Sequence, residues 1–225
     1  PAMPQQYPCS RKLCVLYRDN PRVRLQPMRD AFDSLQFERR ERNVLSGETN
    51  REVYEYFDTL ADDQSCDVYD CLVVGLSGCY NALDGWGINV SGLDVDFDRL
   101  LEPFSKSPVW RCKPKVFIVQ YDNEGLLTKS RICCDANRLP NGSQAAAASG
   151  LPVFADTALV LGHGGPQFTV TLCDLVTKFG NQLEFHQLMT LVNQRVLQLP
   201  RPDDMAPWSV GVVSHLTKKL YLGQV

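Results

Sequence analysis

The sequence predicts an α/β fold in which a mostly parallel sheet carries helices on both faces. Two observations lead there. Residues 71–76, 116–119 and 158–161 are apolar almost without interruption, the pattern of strands buried on both sides rather than half-exposed ones. Between these runs, apolar residues recur at three- and four-residue steps, the period of an amphipathic helix, and strands alternating with helices build βαβ units.

The elements follow in order. Residues 13–17 are a first β-prone run. Leu25, Met28, Ala31, Phe32 and Leu35 then trace a helical stripe that precedes a polar stretch, 38–42, to which no element is assigned. Ser46, with Thr49 three residues on, stands ahead of Val53, Tyr56, Phe57 and Leu60, a second helix with an N-terminal capping signal. The strand at 71–76 comes next. After a Gly- and Asn-rich segment, 81–92, the residues Leu93, Phe97, Leu100 and Leu101 give a third helical stripe, which Pro114 limits before the strand at 116–119. From 128 to 151 the periodicity dissolves into Asn141-Gly142-Ser143-Gln144 and four alanines, 145–148, a linker by composition. It resumes with a strand at 156–161 and a helix through Phe168, Leu172, Leu175, Val176 and Phe179, ended by Gly180. Another helix runs through Leu183, Leu188, Leu191, Val192 and Val196. Pro200, Pro202 and Pro207 break the chain before a last β run at 208–214, and 218–222 closes it.

Composition excludes several function classes. The 225 residues suffice for one well-buried core, read as one domain. A formal charge of -3 without a basic run leaves no electrostatic footprint for nucleic acid or an anionic membrane, and no apolar run approaches the ~20 residues of a membrane span. Nine cysteines, an odd number without regular spacing, read as reduced usage and a cytoplasmic location. Cys14, Cys71 and Cys173 fall inside apolar patterns. The vicinal Cys133-Cys134 pair has no neighbour at metal-ligand spacing, so two loop thiols, no metal and no cofactor are expected. The sequence begins at Pro1 without a signal-peptide pattern, and a processed form or a piece of a longer chain is expected.

The most informative stretch is Lys113-Pro114-Lys115-Val116-Phe117-Ile118-Val119-Gln120, closed by Gly125. It reads as a buried strand that delivers a functional loop, and it resembles the strand before the nucleophile of caspases. In that family of Asp-directed cysteine proteases the local signature is Gln-Ala-Cys-x-Gly, with the catalytic His about 50 residues upstream. Here Gln120-Tyr121-Asp122-Asn123-Glu124-Gly125 puts Asp122 where the thiol would stand. Residues 71–77 resemble the family strand that leads into Ser-His-Gly, but Ser77 is followed by Gly78 and Cys79, so Gly78 holds the place of the base. The interval from 78 to 122, 44 residues, fits the family. The resemblance extends through Leu13-Cys14-Val15-Leu16 and is densest late in the chain, at Phe168, Leu172-Cys173, Leu183-Glu184-Phe185, Leu191-Val192-Asn193, Val196 and Val213-Ser214-His215-Leu216-Thr217-Lys218-Lys219-Leu220-Tyr221. It implies a caspase-like three-layer α/β/α sandwich with an antiparallel C-terminal edge strand. It also implies a large-subunit-like part at 1–127, an intersubunit linker at 128–151 and a small-subunit-like part at 152–225.

What the family carries and this chain lacks is equally ordered. The Arg-containing loop after the first strand is shortened to Asn20-Pro21-Arg22-Val23-Arg24, and the segment with a second Asp-binding Arg is reduced to Gly162-His163-Gly164-Gly165-Pro166. Base, nucleophile and both basic elements of the specificity pocket are missing together. Gly78 has no side chain to move a proton, and Asp122 is an acceptor-only carboxylate whose acyl form would be an anhydride. No catalytic residue is therefore assigned, and the chain is read as a pseudoenzyme. The alternative is a residually active cysteine endopeptidase with a rewired Cys79 and His163 pair; His186 and His215 are read as structural or surface residues.

The resemblance also implies a surface that outlasts catalysis, the dimer interface formed by the final strand. Trp208, Val210, Val212 and Ser214 alternate with Ser209, Gly211 and Val213, so one side covers the core while the strand edge meets another subunit. The expected partner is an active caspase paralogue, in a heterodimer that activates rather than withholds it, or a second copy of this chain. Asp135, before Ala136 in the linker, is a candidate processing site.

Overall fold

The computed structural model describes residues 5–18, 26–43, 49–80, 87–90, 93–121, 155–163, 165–200 and 208–223. Among them the strands are β1 (Lys12–Arg18), β2 (Phe37–Asn43), β3 (Cys71–Tyr80), β4 (Gly87–Val90), β5 (Leu93–Asp96), β6 (Lys115–Tyr121), β7 (Thr157–His163) and β8 (Ser209–Ser214). The helices are α1 (Gln26–Ser34), α2 (Asn50–Asp62), α3 (Phe97–Lys106), α4 (Pro166–Phe179) and α5 (Phe185–Leu197). The main sheet runs β2-β1-β3-β6-β7-β8, parallel throughout except for β8, which lies antiparallel to β7.

The period-two alternation of strand side chains divides the interior into two layers. Cys71, Val73, Val116, Ile118, Ala158 and Val160 face α1, α4 and α5 through Met28, Phe32, Phe168, Leu172, Leu188 and Val192. Leu72, Val74, Phe117, Val119 and Leu159 face the other way, toward α2, α3 and the β4–β5 hairpin through Val53, Phe57, Leu100, Phe104 and Val95. Neighbouring residues on one strand thus feed opposite layers, which is why β3, β6 and β7 are apolar at nearly every position and were legible as strands.

Three expectations change. The polar stretch at 38–42 belongs to β2, paired to β1 from Lys12↔Phe37 to Arg18↔Asn43; as an edge strand it has its charges solvated or paired, and composition alone hid it. Leu93 belongs to β5, so α3 starts only at Phe97, capped by the Asp96 side chain on the Arg99 amide at 3.0 Å. The cap of α2 is Thr49, which forms a capping box with Glu52. The closing stretch at 218–222 is tied back by an isolated parallel bridge between Lys219 and Gln6.

Candidate functional site at the carboxyl end of the sheet

In an open α/β sheet the groups that do chemistry sit beyond the carboxyl ends of the strands. One row crosses that end here: Gly78 of β3 pairs with Tyr121 of β6, Tyr121 with His163 of β7, and His163 with Ser209 of β8. By parity Gly78, Tyr121 and His163 lie on the α2–α3 side. β6 ends at Tyr121, and Asp122, the next residue, lies outside the described residues, as do Asp135, the Cys133-Cys134 pair and the loop at 20–24.

This side of the row is filled. A Cβ built on Gly78 would come within 2.4 Å of the Asn89 carbonyl oxygen and 2.9 Å of Ile88 Cγ1. The first contact is backbone, so a histidine at 78 requires the β4–β5 hairpin to move. That hairpin is anchored: Cys79 and Tyr80 pair with Asn89 and Ile88, and the buried Tyr121 hydroxyl donates to the Gly87 carbonyl at 3.2 Å. The Tyr121 ring in turn lies nearly flat on His163, with centroids 4.7 Å apart and planes at 17°. Burial beneath that ring holds the His163 imidazole below its ordinary pKa, since desolvation disfavours the charged form.

The opposite side is filled as well. Gln120 is buried and its Oε1 accepts from the Thr169 hydroxyl of α4. A Cβ on Gly162 would overlap the Phe168 ring, 2.0 Å from Cδ1, so the glycine exists because α4 packs its ring directly on the β7 backbone. The loop between them is short, as expected: β7 ends at His163 and α4 begins at Pro166. Among the described residues, the Ser77 hydroxyl in the same zone is buried without a hydrogen-bond partner. Sequence reasoning had missed Tyr121, Ile88 and Phe168 as the residues that occupy this end; the signal was the pair of glycines, 78 and 162, at strand positions that otherwise demand side chains.

The register sets Cys79 and His163 two strands apart, with β6 between them and backbones separated by roughly 10 Å. Among the described residues no group of three or more His, Cys, Asp or Glu is arranged to hold a metal ion, and no helix is long and apolar enough to cross a membrane.

β8 is the far edge of the sheet. His215 donates to the Thr157 carbonyl at 2.8 Å and accepts from Asp156 at 3.0 Å, so by alternation the backbone groups of Gly211 and Val213 face β7 while those of Val210, Val212 and Ser214 face outward. Asn193 Oδ1 accepts from the Val210 amide at 3.3 Å. Trp208, Val210 and Val212 pack as half-buried residues on the α5 side and Val213 on the other. The side chains named from sequence therefore cover this chain's own helix, and what they leave outward is backbone.

No family model and no curated protein matches the sequence. Among solved structures, pro-sf-caspase-1 is similar with a TM-score of 0.69 and 19% identity, over 97% of this chain and 98% of that one. The fold is that of a caspase. A likeness so complete in both directions means that the order β2-β1-β3-β6-β7-β8 with its antiparallel final strand is the caspase-like arrangement, and the filled end described above is the end at which that arrangement presents its strand termini.

Proposed function

We propose that this chain is a non-catalytic caspase homologue, acting in the cytoplasm, that regulates an active caspase by pairing with it through β8 and favours activation over withholding. One observation carries the non-catalytic part: a side chain at position 78 would collide with the Asn89 carbonyl at 2.4 Å, so β3 delivers no base to the carboxyl end and the space for one is taken. Asp122 at the nucleophile position and the two-residue β7–α4 loop agree with it. The uncharged outward edge of β8 supports pairing, because an extended edge adds a strand from another subunit through main-chain hydrogen bonds. A homodimer through the same edge competes with the heterodimer. Activation follows if docking biases a partner's active-site loops toward their ordered state.

The test is to mix the purified chain with candidate caspases and follow cleavage of an Asp-containing peptide. A rise in rate supports the activator, a fall identifies a decoy, and no change with any caspase removes the regulatory reading. Thiol-dependent cleavage by the chain alone, abolished in Cys79→Ala, would overturn the non-catalytic one.

A further inference from the structure

Away from the strand termini, three side chains contributed by α5 and β8 form a continuous hydrogen-bonded relay. Glu184, the residue that caps α5, places Oε1 2.9 Å from His186 Nδ1, and His186 Nε2 lies 2.9 Å from Ser214 Oγ on β8. The chemistry fixes the protons. A carboxylate only accepts, so Nδ1 must carry hydrogen; in the neutral ring Nε2 is then an acceptor, and the Ser214 hydroxyl must donate to it. The Leu216 amide completes the polarity by donating to the same Oγ at 3.4 Å. This is the arrangement in which an imidazole, oriented by a carboxylate, takes the proton of a serine as the oxygen attacks.

The geometry is built rather than incidental to one flexible side chain. Glu184 is held by the amide of His186 at 2.9 Å and by a capping box with Gln187, and its side chain is only 13% exposed. Ser214 is fixed by β8, whose pairing with β7 places it opposite Ala158. His186, at 49% side-chain exposure, leaves the relay open to solvent. Ser214 is itself partly exposed, so the hydroxyl stands at the surface and not in the core.

We propose that Ser214 is an activated nucleophile toward small acyl donors, with His186 as its base and Glu184 as the residue that positions the imidazole. Oγ adds to the carbonyl of an activated ester and its proton passes to His186 Nε2. The alcohol leaves with that proton, and water later returns the serine and releases the acid. The outcome is a modification site, or slow esterase activity, at the rim of the β8 edge; it is independent of the regulatory reading and survives that reading's failure.

The experiment exposes the whole chain to p-nitrophenyl acetate and, separately, to a fluorophosphonate, and reads intact mass, peptide map and p-nitrophenol release. One acyl or phosphonyl group on Ser214 is expected, with loss in Ser214→Ala and a fall on the order of 100-fold in His186→Gln, the contribution typical of a positioned base. Glu184→Gln keeps an oxygen for the helix cap and should lower the rate less. A merely structural tie would shift the melting temperature in these variants without any labelling of wild-type Ser214. Absence of label on Ser214, label on lysines instead, or a rate unchanged in His186→Gln overturns the proposal.

Discussion

The two edges of the sheet face the same problem and solve it differently. β2 presents Phe-Glu-Arg-Arg-Glu-Arg-Asn and β8 presents Ser-Val-Gly-Val-Val-Ser. On β2 the alternating charges reach the helices on either side. Toward α1, Arg39 bonds Asp33 at 2.6 Å and Glu41 at 2.9 Å, and Glu41 meets Arg29 at 2.5 Å; toward α2, Arg40 bonds Asp63 at 2.7 Å and Arg42 lies 4.8 Å over the Tyr56 ring. Another strand arriving at β2 must strip water from this lattice, which is how natural sheets block edge-to-edge association. β8 has no charge to desolvate, and among the described residues the Asn193 side chain covers its Val210 amide. The lesson is that a sheet's free edge is made unavailable by charge, so the uncharged edge is the one to test for pairing.

The largest expected effects lie in the support behind β8. Gly162→Ala should cost about 3 kcal/mol, because its Cβ enters the Phe168 ring and overpacking at a rigid site cannot relax. The matched change on the β2 side, Gly75→Ala, meets only the mobile ends of Leu16 at 2.9 Å and Met28 at 3.1 Å and should cost under about 1 kcal/mol. Chemical denaturation of both variants decides it, and equal losses would break the comparison.

Both halves of the sheet bury a lysine, Lys12 in β1 and Lys115 in β6. Behind β7, Lys115 is buried and its Nζ donates to the carbonyls of Trp110 and Lys113, and burial pulls its pKa down to about 8. The unfolded chain holds that proton to about pH 10.4. Between about pH 8 and 10 the unfolded state therefore binds more protons, and stability should rise with pH, by on the order of 2 kcal/mol. Lys115→Met should flatten that slope in urea titrations at pH 8 and pH 10.

Next in size, Val212→Lys gives β8 the charge that β2 already has. Binding to a responsive caspase should weaken about tenfold, equivalent to ~1.4 kcal/mol, as measured by the rate titration; unaltered activation would move the interface elsewhere. The converse change, Arg39→Thr with Glu41→Thr, removes exposed and half-buried ion pairs each worth up to about 1 kcal/mol. It should raise self-association in sedimentation velocity more clearly than it lowers the melting temperature.

The smallest effect concerns Asp63. Hydrogen bonds from Ser65 and Arg40 hold its carboxyl well below the ordinary carboxylate value. A depressed folded pKa stabilises above the unfolded value of about 3.9 and loses that stability as pH falls below it. Solvent screening leaves a few tenths of a kcal/mol, so Asp63→Asn should differ from wild type at pH 6, and the difference should narrow as pH falls below about 3.9.

The elements that were readable explain the ones that were not. β3, β6 and β7 feed both layers, so burial wrote itself into consecutive residues. β2 and the β4–β5 hairpin are peripheral, where solvent tolerates any side chain and only pairing with β1 or β3 makes a strand. Gly78 was visible as a missing functional group and Gly162 only as the start of a shortened loop; that both are contact points, one for a backbone carbonyl and one for an aromatic ring, was not. His186 looked like a surface histidine because its partners come from a cap two residues before it and from a strand 28 residues after it.

The sequence by itself determined the α/β alternation, the buried strands and the glycine at 78, since burial periodicity and residue type are local properties of the chain. Only the tertiary structure decided which edge is charged, that the space at the carboxyl end is occupied, and that Glu184, His186 and Ser214 meet. Those are facts of register and helix placement, and distances between elements remote in the chain are set by how the layers pack.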